Sequence, residues 1–570
     1  MGFTYTEEQQ KVIDTMGSDI LVSAAAGSGK TAVLVARIMR MITDKEHPID
    51  IDRLLIVTFT KAAADEMRER ISRAIQDKLH SDPENIQLQK QATYIHKAQI
   101  TTIDSFCKYL ISNHFDDIGV DPSLRVADEA ETKLLMQDAM AELMEEKHAQ
   151  AEPELIRCLE CFATGKNEKN FEEMILKIYQ FAMSSPWPEE WLEESLKVYK
   201  CQDFQMLNEM EFVQELLAQV RGLVEECLEL YKKALLVCEE PDGPYMYAEL
   251  LEKEYVMMEA LKKATSYEQY SWAFSSLDFG RLPTKKDDAV ATQKREYIKN
   301  LRSEVKEQLI SIKEKYFGIS TEQIFSDVAG CLENATVLVN LTKEFMKAFA
   351  EKKAEKKIMD FQDMEHMALE ILYEEKDGKR VPSDTAKMYR EYFEEIMIDE
   401  YQDSNQVQEL LLMSMARIED GQKNRFMVGD VKQSIYKFRL ACPEIFMEKY
   451  NRFSKEGDEI RIDLSKNFRS RKEVVDTVNV IFEQIMDVSL GGIVYDEAAR
   501  LNLGADYPLN SECKSELLLY EKDSEEGVGQ LSGKDGEAEM IALRIQKLVG
   551  NMQVTDKETG KLRKARYGDI

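Results

Sequence analysis

The chain has 570 residues, 44% hydrophobic and 32% charged, with 75 Lys and Arg against 106 Asp and Glu for a net charge of −31. At ~150 residues per domain that is about four domains of chain, with apolar content enough for large cores, which excludes disorder, a collagen repeat and a small disulfide scaffold. No run approaches the ~18 apolar residues of a membrane span. No signal peptide precedes the first helix, and the nine cysteines are scattered, so reduced thiols, a cytoplasmic location and no membrane association are expected.

The acid is unevenly spread. Residues 1–120 hold 14 basic and 17 acidic side chains and residues 421–480 hold 13 and 9, leaving −32 for the rest. Binding is decided by local patches, so an acidic total does not exclude DNA.

Asp19–Ser23 is a short apolar run followed by a Gly-rich turn and the helical pattern of Thr31–Ile42. Leu54–Thr58 is a second strand, followed by a helix from Lys61 to about Leu79, and Gln99–Ile103 a third, leading into a helix from Asp104. This alternation predicts a parallel sheet covered by helices. From Asp121 to Lys357 the pattern is helical, with long amphipathic segments at Glu211–Cys238 and Tyr247–Ala264, a break at Pro241–Pro244 and a surface loop at Leu282–Asp288. An all-helical block is therefore inserted into the α/β region. Strand signals return at Ile396–Ile398, Arg425–Val428, Ile460–Leu464 and Glu516–Tyr520. The chain ends at Ile570 without a stop signal or cap and reads as a piece of a longer one.

Ala24, Ala25, Ala26, Gly27, Ser28, Gly29, Lys30 and Thr31 lie between a strand and a helix. Small residues there let backbone amides approach phosphates, and the helix N-terminus favours an anion. Lys30 would reach the β- and γ-phosphates and Thr31 would hold Mg²⁺, although Ala24 replaces the usual first glycine. A nucleotide site also needs a metal carboxylate and a group to activate water. Asp399 and Glu400, at the end of Ile396–Ile398, supply them, Asp399 for Mg²⁺ and Glu400 for the water. Tyr436 and Phe438 interleave with Lys432, Lys437 and Arg439, the composition of a single-strand stacking platform; core positions at i, i+2 are the alternative. Lys61 and Arg68 read as a solvated basic face or as phosphate contacts, and His366 as a hydrogen-bonded structural residue. Cys158 and Cys161 form a lone C-x-x-C, read as buried and structural.

DEYQD at 399–403 and VGDVKQSIYKFR at 428–439 resemble motifs II and III of the UvrD/Rep group of superfamily 1 DNA helicases, and other motifs fall in the same order. Within that group the chain is similar to the AddA subunits of bacterial AddAB helicase–nucleases, through AAAGSGKTAVLV, the helical insertion, MDFQDMEH at 359–366 and MVGDVKQSIYKFR. The resemblance implies a RecA-like first domain in two parts (1–120 and 358–455), a helical accessory domain (121–357) and the start of a second RecA-like domain (456–570). It implies that Gln9 reads adenine with Phe468 stacked on it, that Gln433 senses the γ-phosphate, and that Arg469 is an arginine finger. It implies DNA contacts from Thr58, Phe59, Thr60 and Lys61, from Thr102 (with Asp104 where many relatives carry histidine), and from Tyr436 and Phe438. The activity implied is ATP- and Mg²⁺-dependent 3′–5′ translocation and unwinding of single- and double-stranded DNA. The setting implied is a heterodimer with an AddB-like nuclease subunit that processes double-strand breaks. Motifs V and VI and the nuclease domain of that family are not in this chain. Two other readings stand beside this one: a P-loop kinase or small-molecule ATPase, and a fragment that binds nucleotide, DNA or a partner without turnover.

Overall fold

The computed structural model describes residues 5–163, 168–200, 203–285, 287–417, 422–488, 490–507, 514–519, 533–556 and 559–570. Its centre is a six-stranded sheet of β1 (Asp19–Ala24), β2 (Leu54–Thr58), β3 (Gln99–Thr102), β4 (Glu395–Ile398), β5 (Arg425–Gly429) and β6 (Glu459–Leu464). The spatial order is β6-β1-β5-β4-β2-β3, and every pairing is parallel.

A parallel sheet buried on both faces selects near-continuous apolar strands, as in LLIVT and EIMI. Alternate residues serve opposite cores. Leu21, Leu55, Val57, Ile396, Ile398 and Met427 pack under the helices Ile103–His114, Phe361–Leu372 and Gln406–Ser414. Ile20, Val22, Ile56, Met397, Phe426 and Val428 pack under Glu7–Asp14, Lys30–Ile42 and Lys61–Ser81. Because all six strands run one way, their C-terminal ends open on a single edge, where open α/β sheets bind ligands.

Two short strands close the neck of the helical insertion, Arg125 pairing with Ile358 and Val126 with Met359. The insertion has two cores, one from the helices Glu129–Gln150 and Lys169–Met183, the other from Glu211–Glu239, Ala248–Lys262 and Thr292–Tyr316. The helix Thr321–Glu355 joins them: Phe325 and Val328 pack in one, Phe345 and Phe349 in the other. At the neck Lys353, 5% exposed, is held between Asp360 at 2.8 Å and Asp363 at 2.6 Å. Its ammonium also lies 4.2 Å from the centroid of the Phe349 ring.

Four expectations change. The strand Glu459–Leu464 pairs with β1 along its whole length, so the first sheet continues past residue 455 to Leu464. Ile103 opens a helix rather than ending β3. Residues 516–519 form no strand: Leu517 and Leu519 are more than 80% exposed, with no strand paired to them among the described residues, while Tyr520 lies outside those residues. Cys158 is buried but Cys161 is exposed. No helix among the described residues is long and apolar enough to cross a membrane.

Candidate nucleotide and DNA site

The loop after β1 turns through Gly27 (φ +72°) and Gly29 (φ +83°), left-handed conformations that other residues adopt only with strain. Gly27 is also crowded. A Cβ there would lie 2.9 Å from both Arg469 Cβ and Asn467 Oδ1, and its carbonyl accepts from the Phe468 N–H at 2.8 Å. Asn467 Oδ1 accepts from the Arg469 and Ser470 N–H groups at 2.9 and 2.7 Å, which fixes the turn that sets the exposed Arg469 beside the phosphate loop.

Lys30 opens the helix and places its ammonium 3.2 Å from Glu400 Oε2. Asp399 and Glu400 follow β4, with Glu400 held at φ +53° and its N–H donating to Asp399 Oδ1 at 3.0 Å. Burial and the neighbouring Glu400 push the Asp399 carboxyl up to about 6, against the pull of Lys30. Burial and Glu400 raise Asp403 to about 6 as well. The Asp399 carboxylate and the Thr31 hydroxyl are oxygen donors of the kind a divalent cation takes, and they are the residues that would hold it.

Gln433 donates from Nε2 to Asp430 Oδ2 at 2.8 Å, and Lys432 pairs with the same carboxylate at 2.8 Å. Gln9, 2% exposed, donates from Nε2 to Ser28 O at 3.0 Å and accepts from the Thr6 N–H at 3.0 Å. Gln9 and Phe468 share a cleft of about 30 Å³ with Ser28, Ser465 and Lys466. That is room for only one or two waters, so a purine base needs the cleft to open.

The aromatic residues stand on the same edge. Phe59 packs against Tyr436 with ring centroids 4.6 Å apart, and Tyr436 against Phe438 at 5.9 Å. The Arg439 guanidinium lies 5.4 Å from the Tyr436 ring centroid and 5.8 Å from that of Phe438. Phe438 is 76% exposed, so the core alternative fails there, while Tyr436 is half-buried.

Several of the expected contact residues also have partners within the protein. Thr58 is buried and its hydroxyl donates to Thr60 O at 3.1 Å, shaping the turn rather than facing outward. Thr60 caps the next helix by accepting from the Ala63 N–H at 3.2 Å, and Lys61 is exposed at its start. Thr102 spends its oxygen on the Ser105 N–H at 3.3 Å. Arg68 is neither a solvated face nor a free phosphate contact: it donates to the carbonyls of Ile95 at 2.9 Å and Ile100 at 2.7 Å. His366 Nε2 lies 3.0 Å from Met183 O, a structural contact to the insertion. Sequence reasoning missed Gln402, Asp430 and Asn467. All three lie inside or beside the recognised motifs, and their polar side chains at strand ends were the only signal.

A phosphate loop after one strand and a carboxylate pair after another, on the shared edge of a parallel sheet, define a P-loop nucleotide-binding protein. The chain belongs to the UvrD/REP helicase family, whose N-terminal domain matches residues 5–454. It is 43% identical to the A subunit of the ATP-dependent helicase/nuclease of Lachnoclostridium phytofermentans, aligned over 100% of this chain and 44% of that protein. Its identity to the proteins of the same name is 37% in Clostridium beijerinckii and 38% in Bacillus licheniformis, again over the full chain and over 48% and 47% of theirs. The chain thus spans a little under half the length of the curated relatives it matches.

Proposed function

We propose that this chain is the N-terminal motor region of an ATP-dependent DNA helicase, a 3′–5′ translocase within a helicase–nuclease complex that processes double-strand breaks. An AddB-like nuclease subunit is the partner in this reading, the setting is the cytoplasm, and residues beyond β6 begin a second RecA-like lobe after the helical accessory domain. The observation that carries it is the Lys30 ammonium 3.2 Å from Glu400, on the sheet edge that also presents Tyr436 and Phe438. The name of the relatives, A subunit of an ATP-dependent helicase/nuclease, supports the same reading.

In this mechanism Lys30 leaves Glu400 for the β- and γ-phosphates, and the loop amides from Gly27 to Thr31 surround them. Mg²⁺, when bound to Asp399 and Thr31, would neutralise charge on the phosphate oxygens. Glu400 orients the attacking water and takes its proton as the water oxygen bonds to the γ-phosphorus. The bond to the β–γ bridging oxygen breaks and its electron pair leaves with ADP. Gln433 contacts the γ-phosphate, and Arg469 faces the charge that builds there, a contribution of ~10³-fold or more for such arginines. Gln9 and Phe468 take the adenine as their cleft opens. Tyr436 and Phe438 stack on bases of any sequence, as translocation requires.

ATP turnover with and without single-stranded DNA, beside Lys30→Ala, tests the reading. A DNA-stimulated rate lost in Lys30→Ala is expected. Nucleotide binding without turnover would favour a non-catalytic module instead, and the absence of both nucleotide and DNA binding would overturn the proposal.

A further inference from the structure

Gln402 has no role in the mechanism above, yet it is 1% exposed and its amide is oriented at both ends. The Asp430 N–H donates to Gln402 Oε1 at 2.9 Å. The amide nitrogen therefore faces the carboxylates and donates to Glu400 Oε2 at 2.9 Å and Asp403 Oδ2 at 3.2 Å. Beyond it the Asp430 carboxylate accepts from Gln433 Nε2 at 2.8 Å, and three residues further on Tyr436 rests on Phe59. Glu400, Gln402, Asp430 and Gln433 thus form one hydrogen-bonded line from the carboxylate beside Lys30 to the segment that carries the exposed aromatics.

The line has little slack. A Cβ on Gly429 would lie 2.3 Å from Gln402 Oε1, so the end of β5 admits the amide only because that residue is glycine. The Cys442 N–H donates to Ser404 O at 2.9 Å and ties the same two segments a second time. A buried amide that loses a partner leaves a polar group unsatisfied, which is costlier than shifting with it. A displacement of Glu400 or Gln433 is therefore passed along the line in preference to breaking it.

We propose that Gln402 is a positioning residue that couples nucleotide occupancy at Lys30 and Gln433 to the grip of Tyr436 and Phe438 on single-stranded DNA. The inference rests on the motor reading. When Lys30 turns to phosphate, Gln402 remains as the donor that orients Glu400, and movement of Gln433 toward the nucleotide carries Asp430 and the 429–439 segment with it. The two ligands must then alter each other's affinity reciprocally.

The test is the affinity of a fluorescein-labelled oligo(dT) at fixed salt, read by anisotropy with and without Mg²⁺ and the slowly hydrolysed analogue ATPγS. In the unaltered chain nucleotide changes the DNA affinity ~10-fold, within the usual range of such couplings. In Gln402→Leu, which leaves the buried Asp430 N–H without its acceptor and so lowers the melting temperature somewhat, the ratio falls to less than ~2-fold while each ligand alone still binds the folded protein. Gln402→Asn keeps an amide one methylene too short to span both ends, and loses the coupling too should the leucine variant not fold. A merely structural role would weaken both ligands without changing the ratio, which overturns the proposal. So does full coupling in both variants, or an unaltered chain that binds both ligands independently; the motor reading survives the first of these. Nucleotide binding that is absent, or that Lys30→Ala leaves unchanged, removes the motor reading itself.

Discussion

Phe438→Ala separates binding from folding, because its ring is 76% exposed and its removal gives up almost no buried surface. Stability should stay within ~0.5 kcal/mol of the parent, as for other surface substitutions. If a base stacks on the ring, the substitution removes ~1–3 kcal/mol of binding, about 5- to 150-fold in Kd. Tyr436→Ala differs, since Tyr436 is half-buried with its ring 4.6 Å from that of Phe59. Losing that pair costs ~0.5–1.5 kcal/mol of folding beyond the area term, so both Tm and affinity fall. Lys437, 79% exposed, supplies the contrast. A phosphate contact there predicts that Lys437→Ala weakens all sequences alike and lowers the slope of log K against log salt by ~0.7. The assay is anisotropy of labelled oligo(dT) and of a mixed-sequence strand over a salt series, with thermal melts on the same preparations. Unchanged affinity in both Phe438→Ala and Tyr436→Ala, with both proteins folded, would refute the stacking argument.

Lys353→Met leaves Asp360 and Asp363 facing each other in the buried neck; an uncompensated buried charge costs ~3–5 kcal/mol, and thermal denaturation should show the loss. Glu365 has its carboxyl pushed up to about 7 by burial and by Asp104, against the donors Gln408 and Asn405. The folded state therefore holds a proton that the unfolded state releases near pH ~4.3, so stability falls as pH rises from there to about 7, by ~3–4 kcal/mol in all. Glu365→Gln should flatten that slope in urea titrations between pH 5 and 8, and a parent whose stability rises across this range would contradict it. Gly27→Ala meets Arg469 Cβ at 2.9 Å on a backbone at φ +72°; nucleotide affinity, measured with a fluorescent ATP analogue, should fall ~5- to 150-fold for a strain of ~1–3 kcal/mol.

Much of this site was legible because its signals are local. Gly27, Gly29, Lys30 and Thr31 act through the loop they themselves form, and LLIVT and EIMI announce buried strands by composition alone. What could not be read depends on residues distant in sequence. The strand Glu459–Leu464 has the same alternation whichever sheet it joins, and only its pairing with Asp19–Ala24, more than 400 residues away, assigns it to the first. Leu517 and Leu519 have strand-like neighbours in sequence but no strand beside them among the described residues, and propensity without a pairing strand makes no sheet. Arg68 reads as surface because the Ile95 and Ile100 carbonyls it holds lie on another segment. Gln402 sits within DEYQD, but its purpose appears only with the Asp430 N–H in place.

In the proposed mechanism the segment from Gly429 to Arg439 serves two ligands within a short stretch. Gly429 is bare so that the Gln402 amide can approach, and Asp430 turns that approach into a hold on Gln433. Three residues later Tyr436 packs half-buried on Phe59, and Phe438 beyond it faces outward, with Arg439 over both rings. Helical structure here is limited to single 3₁₀ turns at Val431–Gln433 and Lys437–Arg439. Short 3₁₀ pieces have poorer hydrogen-bond geometry than α-helix, so the segment can shift as a unit at lower cost than a packed helix. On the proposed coupling, a shift at Gln433 would reach Tyr436, three residues on, through the main chain, while the register of the parallel sheet need not change.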